Sequence, residues 1–241
     1  MQSSASRGTM AARKVRKTFA ASRAVDRINY NLRMTISALI FDMDGTLGDT
    51  MPSIMIAMRE TFERFAGRIY TDDEIIAMFG PSEEGMIGQR VPADSYKPAL
   101  QYYLDRYADL HADAPFPGIR DLMSYLKERG FRIAVATGKG PGTAAISMHA
   151  YGLDEYIDRL ETGSPDGAVK PELIKRVLAN WELPADQAGY VGDMQSDMAD
   201  ARTVGVLPLG AAWSESSSIT EADTPYRFTS VESLKTWLAS M

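Results

Sequence analysis

Asp42 and Asp44 flank Met43, and the run continues Gly45-Thr46-Leu47-Gly48-Asp49-Thr50. Two carboxylates this close repel when both are bare ions, so the pair is useful where a cation neutralises it or one member keeps a proton. A carboxylate can attack phosphorus to form an acyl phosphate, which splits one hard displacement into two easier ones. Its neighbour can protonate the leaving oxygen and later activate water. Gly45 permits a tight turn straight after, with backbone N–H groups facing the same point. An isolated Asp-x-Asp is more often only a turn; the whole run to Thr50 sets this one apart.

A second acidic group lies in Gly192-Asp193-Met194-Gln195-Ser196-Asp197. A helix starting there would put Asp193 and Asp197, four apart, on one face. Capping of that helix is the plainer reading of the same acids. Two or three carboxylate oxygens, with water and a phosphate oxygen, suit octahedral Mg²⁺. Lys170 in Val169-Lys170-Pro171 and Thr137 at the end of Ala134-Val135-Ala136 would, taken singly, be a solvated lysine and a strand-end hydroxyl. In phosphoryl transfer such groups position and neutralise the equatorial oxygens.

The remaining composition narrows the chemistry. The 241 residues include no cysteine, which excludes disulfides, iron–sulfur clusters, thiolate zinc sites and a cysteine nucleophile. The two histidines, His111 and His149, are too few and too far apart for a multi-histidine metal site, and neither has a serine elbow to serve. His149 reads as structural. With 45% hydrophobic and 24% charged residues the chain is globular rather than disordered. No apolar run approaches the roughly 18–20 residues of a membrane span, so a soluble, cytoplasmic protein is expected.

Charge divides the chain. Residues 1–34 carry eight basic side chains and one acid, whereas 35–241 carry 18 basic and 31 acidic residues, a net −13. The basic segment reads as an extension outside the fold, with Met34 as a natural start. Organelle import through it is the alternative, its composition being that of a transit peptide. The acidic body argues against nucleic acid docking on the core.

Strand-like runs end abruptly in polar residues at three places: Ile36–Phe41 before Asp42, Phe131–Ala136 before Thr137, and Ala188–Val191 before Gly192-Asp193. Shorter candidates are Tyr156–Leu160, Val206–Leu209 and Tyr226–Thr229. Amphipathic stretches alternate with them: Ile119–Arg129, Gly142–Tyr151, Pro171–Trp181, Gln195–Thr203 and Val231–Leu238. Alternation of this kind predicts a doubly wound, Rossmann-like parallel sheet covered on both faces. Ligands bind beyond the carboxyl ends of such strands, where every polar switch falls. Residues 51–115 interrupt the pattern with an all-helical insert, in which Ile54, Met58, Phe62 and Phe65 share one face and further helices are expected over Asp72–Phe79 and Ala93–Leu110. Met55, Met58, Met78 and Met86 read as packing. The core is therefore expected over 35–50 and 116–241.

Asp42-Met43-Asp44-Gly45-Thr46-Leu47 resembles the first motif of the haloacid dehalogenase superfamily, in its capped, phosphoglycolate phosphatase-like branch. The resemblance implies that Asp42 is the nucleophile and Asp44 the general acid/base. Thr137 with Gly138 matches the hydroxyl motif that holds the phosphoryl group, and Lys170 the lysine that neutralises nucleophile and phosphate. Asp193 matches the acidic motif that binds Mg²⁺ together with Asp42 and Asp44, with Asp197 in support. The insert is similar to a helical cap whose loop, here Gly80-Pro81-Ser82-Glu83-Glu84, selects the substrate; Arg59, Arg64, Arg68, Arg90 and Arg106 are candidates to grip it, none preferred. Gly48 and Pro115–Gly118 are hinge candidates.

The implied activity is hydrolysis of a small phosphomonoester, phosphoglycolate-like or a sugar phosphate, through an aspartyl-phosphate, by a monomer or homodimer. The dehalogenase reaction does not use Asp44, and phosphonate hydrolysis would need a cap lysine where only Lys97 stands. A phosphosugar mutase of the β-phosphoglucomutase type uses the same core residues and is the first alternative. A nucleic-acid- or lipid-binding protein acting through the basic segment is the second.

Overall fold

The computed structural model describes residues 36–241 other than Ala168; the basic segment 1–34 lies outside the described residues. Six parallel strands form one sheet in the order β3-β2-β1-β4-β5-β6: β1 (Ala38–Phe41), β2 (Arg132–Ala136), β3 (Arg159–Glu161), β4 (Ala188–Gly192), β5 (Leu207–Ala211) and β6 (Arg227–Phe228). The chain is thus doubly wound about β1, a fully buried Ala-Leu-Ile-Phe strand with neighbours on both sides. Register sets Phe41 level with Val135 on one side and with Val191 on the other. The three polar switches therefore emerge together at one edge of the sheet.

Alternate residues of the central strands face opposite layers. Ala38 and Ile40, Ala134 and Ala136, and Ala188 and Tyr190 pack with Leu173, Ile174 and Val177 of α7 (Lys170–Trp181) and Ala201 of α8 (Gln195–Val204). Helices α5 (Ile119–Glu128) and α9 (Val231–Ala239) pack on each other, and α5 also contacts β2. Between β2 and β3 runs α6 (Pro141–Ala150).

The segment between β1 and α5 holds four helices: α1 (Met51–Ala66), α2 (Asp72–Ile76), α3 (Glu83–Gly88) and α4 (Tyr96–Leu110). Ile54, Met58 and Phe62 of α1 are buried with Tyr103 and Tyr107 of α4, Ile75, Met78, Met86 and Ile87, while Met55 and Phe65 pack at the margin. Helix α4 also contacts α6, which joins the insert to the sheet layer.

Several expected bounds move for local reasons. Asp158 ends the turn before β3 because its carboxylate accepts from Ile133 N at 2.8 Å and pairs with Lys127, so the ladder starts only at Arg159. Helix α4 begins three residues later than expected, after a turn in which Ser95 N donates to Pro92 O. Helix α3 takes up Glu83 and Glu84, the last two residues of the expected loop.

Leu39 is fully buried, whereas Leu160 on the edge strand is 36% exposed. Leu39→Ala should cost about 3 kcal/mol and Leu160→Ala less than about 1 kcal/mol. Urea unfolding of the two variants measures this, and equal losses would contradict the sheet order.

Candidate active site

Asp42 follows β1, and its N–H still donates to Val191 O at 2.8 Å, so it remains in the plane of the ladder. The chain then coils back: Met43 O accepts from Leu47 N at 2.8 Å and Thr46 N at 3.2 Å, and Gly45 N donates to Gly48 O at 3.0 Å. This turn brings Gly45, at φ 72°, against Asp193, where a Cβ would stand 2.2 Å from Asp193 Oδ2. Only glycine fits both the conformation and the approach. Asp193 follows β4, the neighbour of β1, so two adjacent strand ends deliver two carboxylates to one place.

Lys170, the first residue of α7, enters from the side. Its Nζ lies 2.5 Å from Asp42 Oδ2 and 2.6 Å from Asp197 Oδ1. Asp197 also accepts from Met194 N at 2.9 Å through Oδ2, so it closes the start of α8 and holds the lysine at once. Both readings of that acid, capping and site, apply to one side chain. Asp193, by contrast, precedes α8 and is not on its face.

Asp42, Asp193 and Asp197 are all buried, and one oxygen of each lies within 4.8 Å of the others. One lysine cannot balance three carboxylates. Burial raises Asp42 to about 6; Lys170 opposes the rise, while Asp197 and Asp44 add to it. Burial, then Asp42 and Asp197, push Asp193 up to about 7. Asp193 Oδ1 is buried with no hydrogen-bond partner. Surplus negative charge, hard oxygen donors and an orphaned carboxylate oxygen together fit a divalent cation.

Asp44 is expected among the metal-binding residues. Its carboxylate lies outside this group, drawn away by the Thr50 hydroxyl and by Lys139 Nζ at 3.1 Å. The carboxylate of Asp197 lies within the group. Lys139 is the main residue that sequence reasoning missed: it sits in Gly138-Lys139-Gly140, its side chain is 1% exposed, and Glu83 Oε1 of α3 lies 3.6 Å away. Burial works against its charge, but Asp44, Tyr107 and Glu83 outweigh that and raise its pKa. A lysine between two glycines at the end of a buried strand was the available signal.

Thr137 is fully buried at the end of β2, one residue beyond the level of Asp42, and its Oγ1 accepts from Lys139 N at 3.3 Å. Gly138 beside it is exposed. In the insert, Gly80 and Pro81 lie in a turn, Ser82 precedes α3, and Glu83 and Glu84 form its first residues. Glu83 cannot serve as a free substrate contact, because its oxygens accept from Gly140 N at 2.6 Å and Thr143 Oγ1 at 2.8 Å. The arginines are engaged within the insert: Arg59 with Asp72, Arg68 with Glu74, Arg106 with Glu60, Arg64 over Tyr102, and Arg90 with Gln89. His149, expected to be structural, is exposed, with Asp154 3.5 Å away as its charged neighbour. A separate groove of about 750 Å³ runs between the start of α1 and Trp213–Ser216; none of the three clustered aspartates lines it.

A family model described as haloacid dehalogenase-like hydrolase matches residues 39–211, and the chain belongs to that family. It is an enzyme of the family's phosphatase type. A protein carrying the name PpaX in Caldanaerobacter subterraneus subsp. tengcongensis is 30% identical over 190 residues, covering 75% of this chain and 84% of its own. Pyrophosphatase PpaX of Bacillus pumilus is 27% identical over 184 residues, covering 75% and 85%. Among solved structures, the haloacid dehalogenase-like family protein SP0104 of Streptococcus pneumoniae is 28% identical, with a TM-score of 0.60 over 79% of this chain and 90% of that one.

The raised pKa of Asp193 fixes a sign. Its folded value of about 7 exceeds the ordinary 3.8, so the folded state holds the proton more tightly and stability from this group falls as pH rises between those values. Asp193→Asn should therefore stabilise the metal-free protein, by on the order of 2 kcal/mol more at pH 8 than at pH 5. Thermal melts in chelator read this out; a gain independent of pH, or a loss at pH 8, would contradict the assigned crowding.

Proposed function

We propose that the chain is an Mg²⁺-dependent phosphatase that hydrolyses a small phosphomonoester through a phosphorylated Asp42. The observation that carries this reading is the buried contact of Lys170 with Asp42 and Asp197 beside Asp193, at the carboxyl ends of β1 and β4.

Asp42 Oδ2 or Oδ1 attacks phosphorus while the bond from phosphorus to the leaving oxygen breaks. Asp44, held apart from the acid cluster by Thr50 and Lys139, gives that oxygen its proton. In the second half Asp44 takes a proton from water, the water oxygen bonds to phosphorus, and Asp42 is released. Thr137 and the Gly138 backbone steady the phosphoryl oxygens, and Lys170 neutralises them. Asp42 and Asp193, with Asp197 alongside, would hold the Mg²⁺. When bound, the ion supplies positive charge to nucleophile and phosphoryl oxygens alike. The helices of 51–115 close over the rim as a cap, with Gly48 and Pro115–Gly118 as hinges, and exclude water from the phosphorylated enzyme.

For the substrate, the relatives named pyrophosphatase add inorganic pyrophosphate to the sugar phosphates and phosphoglycolate. The cation beside Asp44 is Lys139, already shared with Glu83. No described helix is long and apolar enough to cross a membrane. We place the enzyme in the cytoplasm, acting on a soluble metabolite as a monomer or homodimer.

Asp42→Asn should abolish turnover of an aryl phosphate while circular dichroism stays unchanged; an active variant would remove Asp42 as nucleophile. Chelator should stop turnover and added Mg²⁺ restore it, and turnover that resists chelator would contradict the metal site. With a hexose 1-phosphate, release of free phosphate supports the hydrolase, and 6-phosphate product would make the chain a mutase.

A further inference from the structure

Lys139 has almost no contact with water, and it is enclosed from two parts of the chain. Asp44 belongs to the turn after β1; Glu83 belongs to α3 of the insert, and the ring of Tyr107, on α4, lies with its centroid 4.6 Å from Nζ. An ammonium that deep is tolerated only where carboxylates surround it. Glu83 is in turn held by the loop that carries Lys139, through Gly140 N and Thr143 Oγ1. The rest of α3 is seated on the same rim: Ser82 N donates to Ser164 O at 2.8 Å, and Gly85 lies so close to the loop after β3 that a Cβ would stand 2.2 Å from Pro165 O.

We propose that Glu83 is a positioning residue for the reaction: it seats α3 on the rim and, through Lys139, fixes the carboxylate of Asp44, so that docking of the insert and alignment of the proton-transfer group are one event. This rests on the phosphatase reading for the role of Asp44. Glu83 itself touches neither the acid cluster nor Asp42. With the insert seated, the buried ammonium lies between two carboxylates, 3.1 Å from Asp44 Oδ1 and 3.6 Å from Glu83 Oε1, as ion pairs without a hydrogen bond. With α3 lifted, Lys139 loses one anchor and gains water, and Asp44 keeps only the Thr50 hydroxyl as a fixed partner. The insert would thereby report its own closure to the chemistry.

The test is a double-mutant cycle on the full chain. Glu83→Gln keeps a side-chain oxygen for Gly140 N while removing the charge, and Lys139→Met replaces the buried ammonium with an apolar group of similar length. Each should lower kcat for an aryl phosphate about tenfold with KM changed less than about threefold, and the double variant should lose no more than either alone. Amide hydrogen exchange supplies a second measurement that needs no turnover: residues 83–88 should exchange about tenfold faster in both single variants. Unchanged kcat in Glu83→Gln, or losses that multiply in the double variant, would overturn the proposal, as would unchanged exchange in Lys139→Met. If wild type turns over no phosphate ester the phosphatase reading fails by itself, and exchange alone then decides whether Lys139 holds α3 down.

Discussion

Three buried carboxylates, two at the ends of neighbouring strands and one in the first turn of α8, repel one another, and the surrounding structure is arranged to contain that repulsion. Two unit charges within 4.8 Å oppose each other by about 3 kcal/mol or more at an effective dielectric constant near 20. That is a large share of the roughly 5–15 kcal/mol by which a domain is stable. Lys170 offsets part of it by touching Asp42 and Asp197 together, and Asp193 is left with a bare buried oxygen. The remaining charge and the oxygen donors fit a hard cation.

The constraint reaches back into the fold. Only a parallel sheet with β1 flanked by β2 and β4 sends Asp42, Thr137 and Asp193 out at one edge. The coil from Met43 to Gly48 then turns Asp44 away from the three acids and towards Thr50 and Lys139. Asp42 and Asp44, the proposed nucleophile and proton carrier, therefore sit in different electrostatic surroundings although one residue separates them. Asp42 lies among acids and one lysine, whereas Asp44 lies against an ammonium and a hydroxyl. That difference suits the division of labour proposed for the two carboxylates.

Much of this was legible in the sequence because buried strands that end in polar residues are an unambiguous local signal. β1, β2 and β4 fall within two residues of expectation, and Asp42, Lys170, Asp193 and Asp197 lie together, although Asp193 and Asp197 do not share a helix face as their spacing suggests. What was not legible depends on contacts between distant segments. Helix α3 is short and contains Gly85 and Gly88, so its sequence resembles a turn; its helical form is fixed by seating on the rim. Lys139 reads as a loop lysine until α3 and α4 close over it. The placement of Asp44 outside the acid cluster follows from Lys139, and was missed with it. Nothing in the sequence singles out one insert arginine, and the partners of Arg59, Arg68 and Arg106 within the insert become visible only in the fold.

The acid cluster with Lys170 is proposed to make Asp42 the nucleophile whose carboxylate oxygen bonds to phosphorus. The most direct measurement is a rapid acid quench during turnover in the presence of Mg²⁺, followed by borohydride reduction and peptide mass spectrometry. The account predicts homoserine at position 42, formed only when substrate is present. Homoserine at another aspartate, such as Asp44 or Asp193, or at none while turnover proceeds, would contradict it.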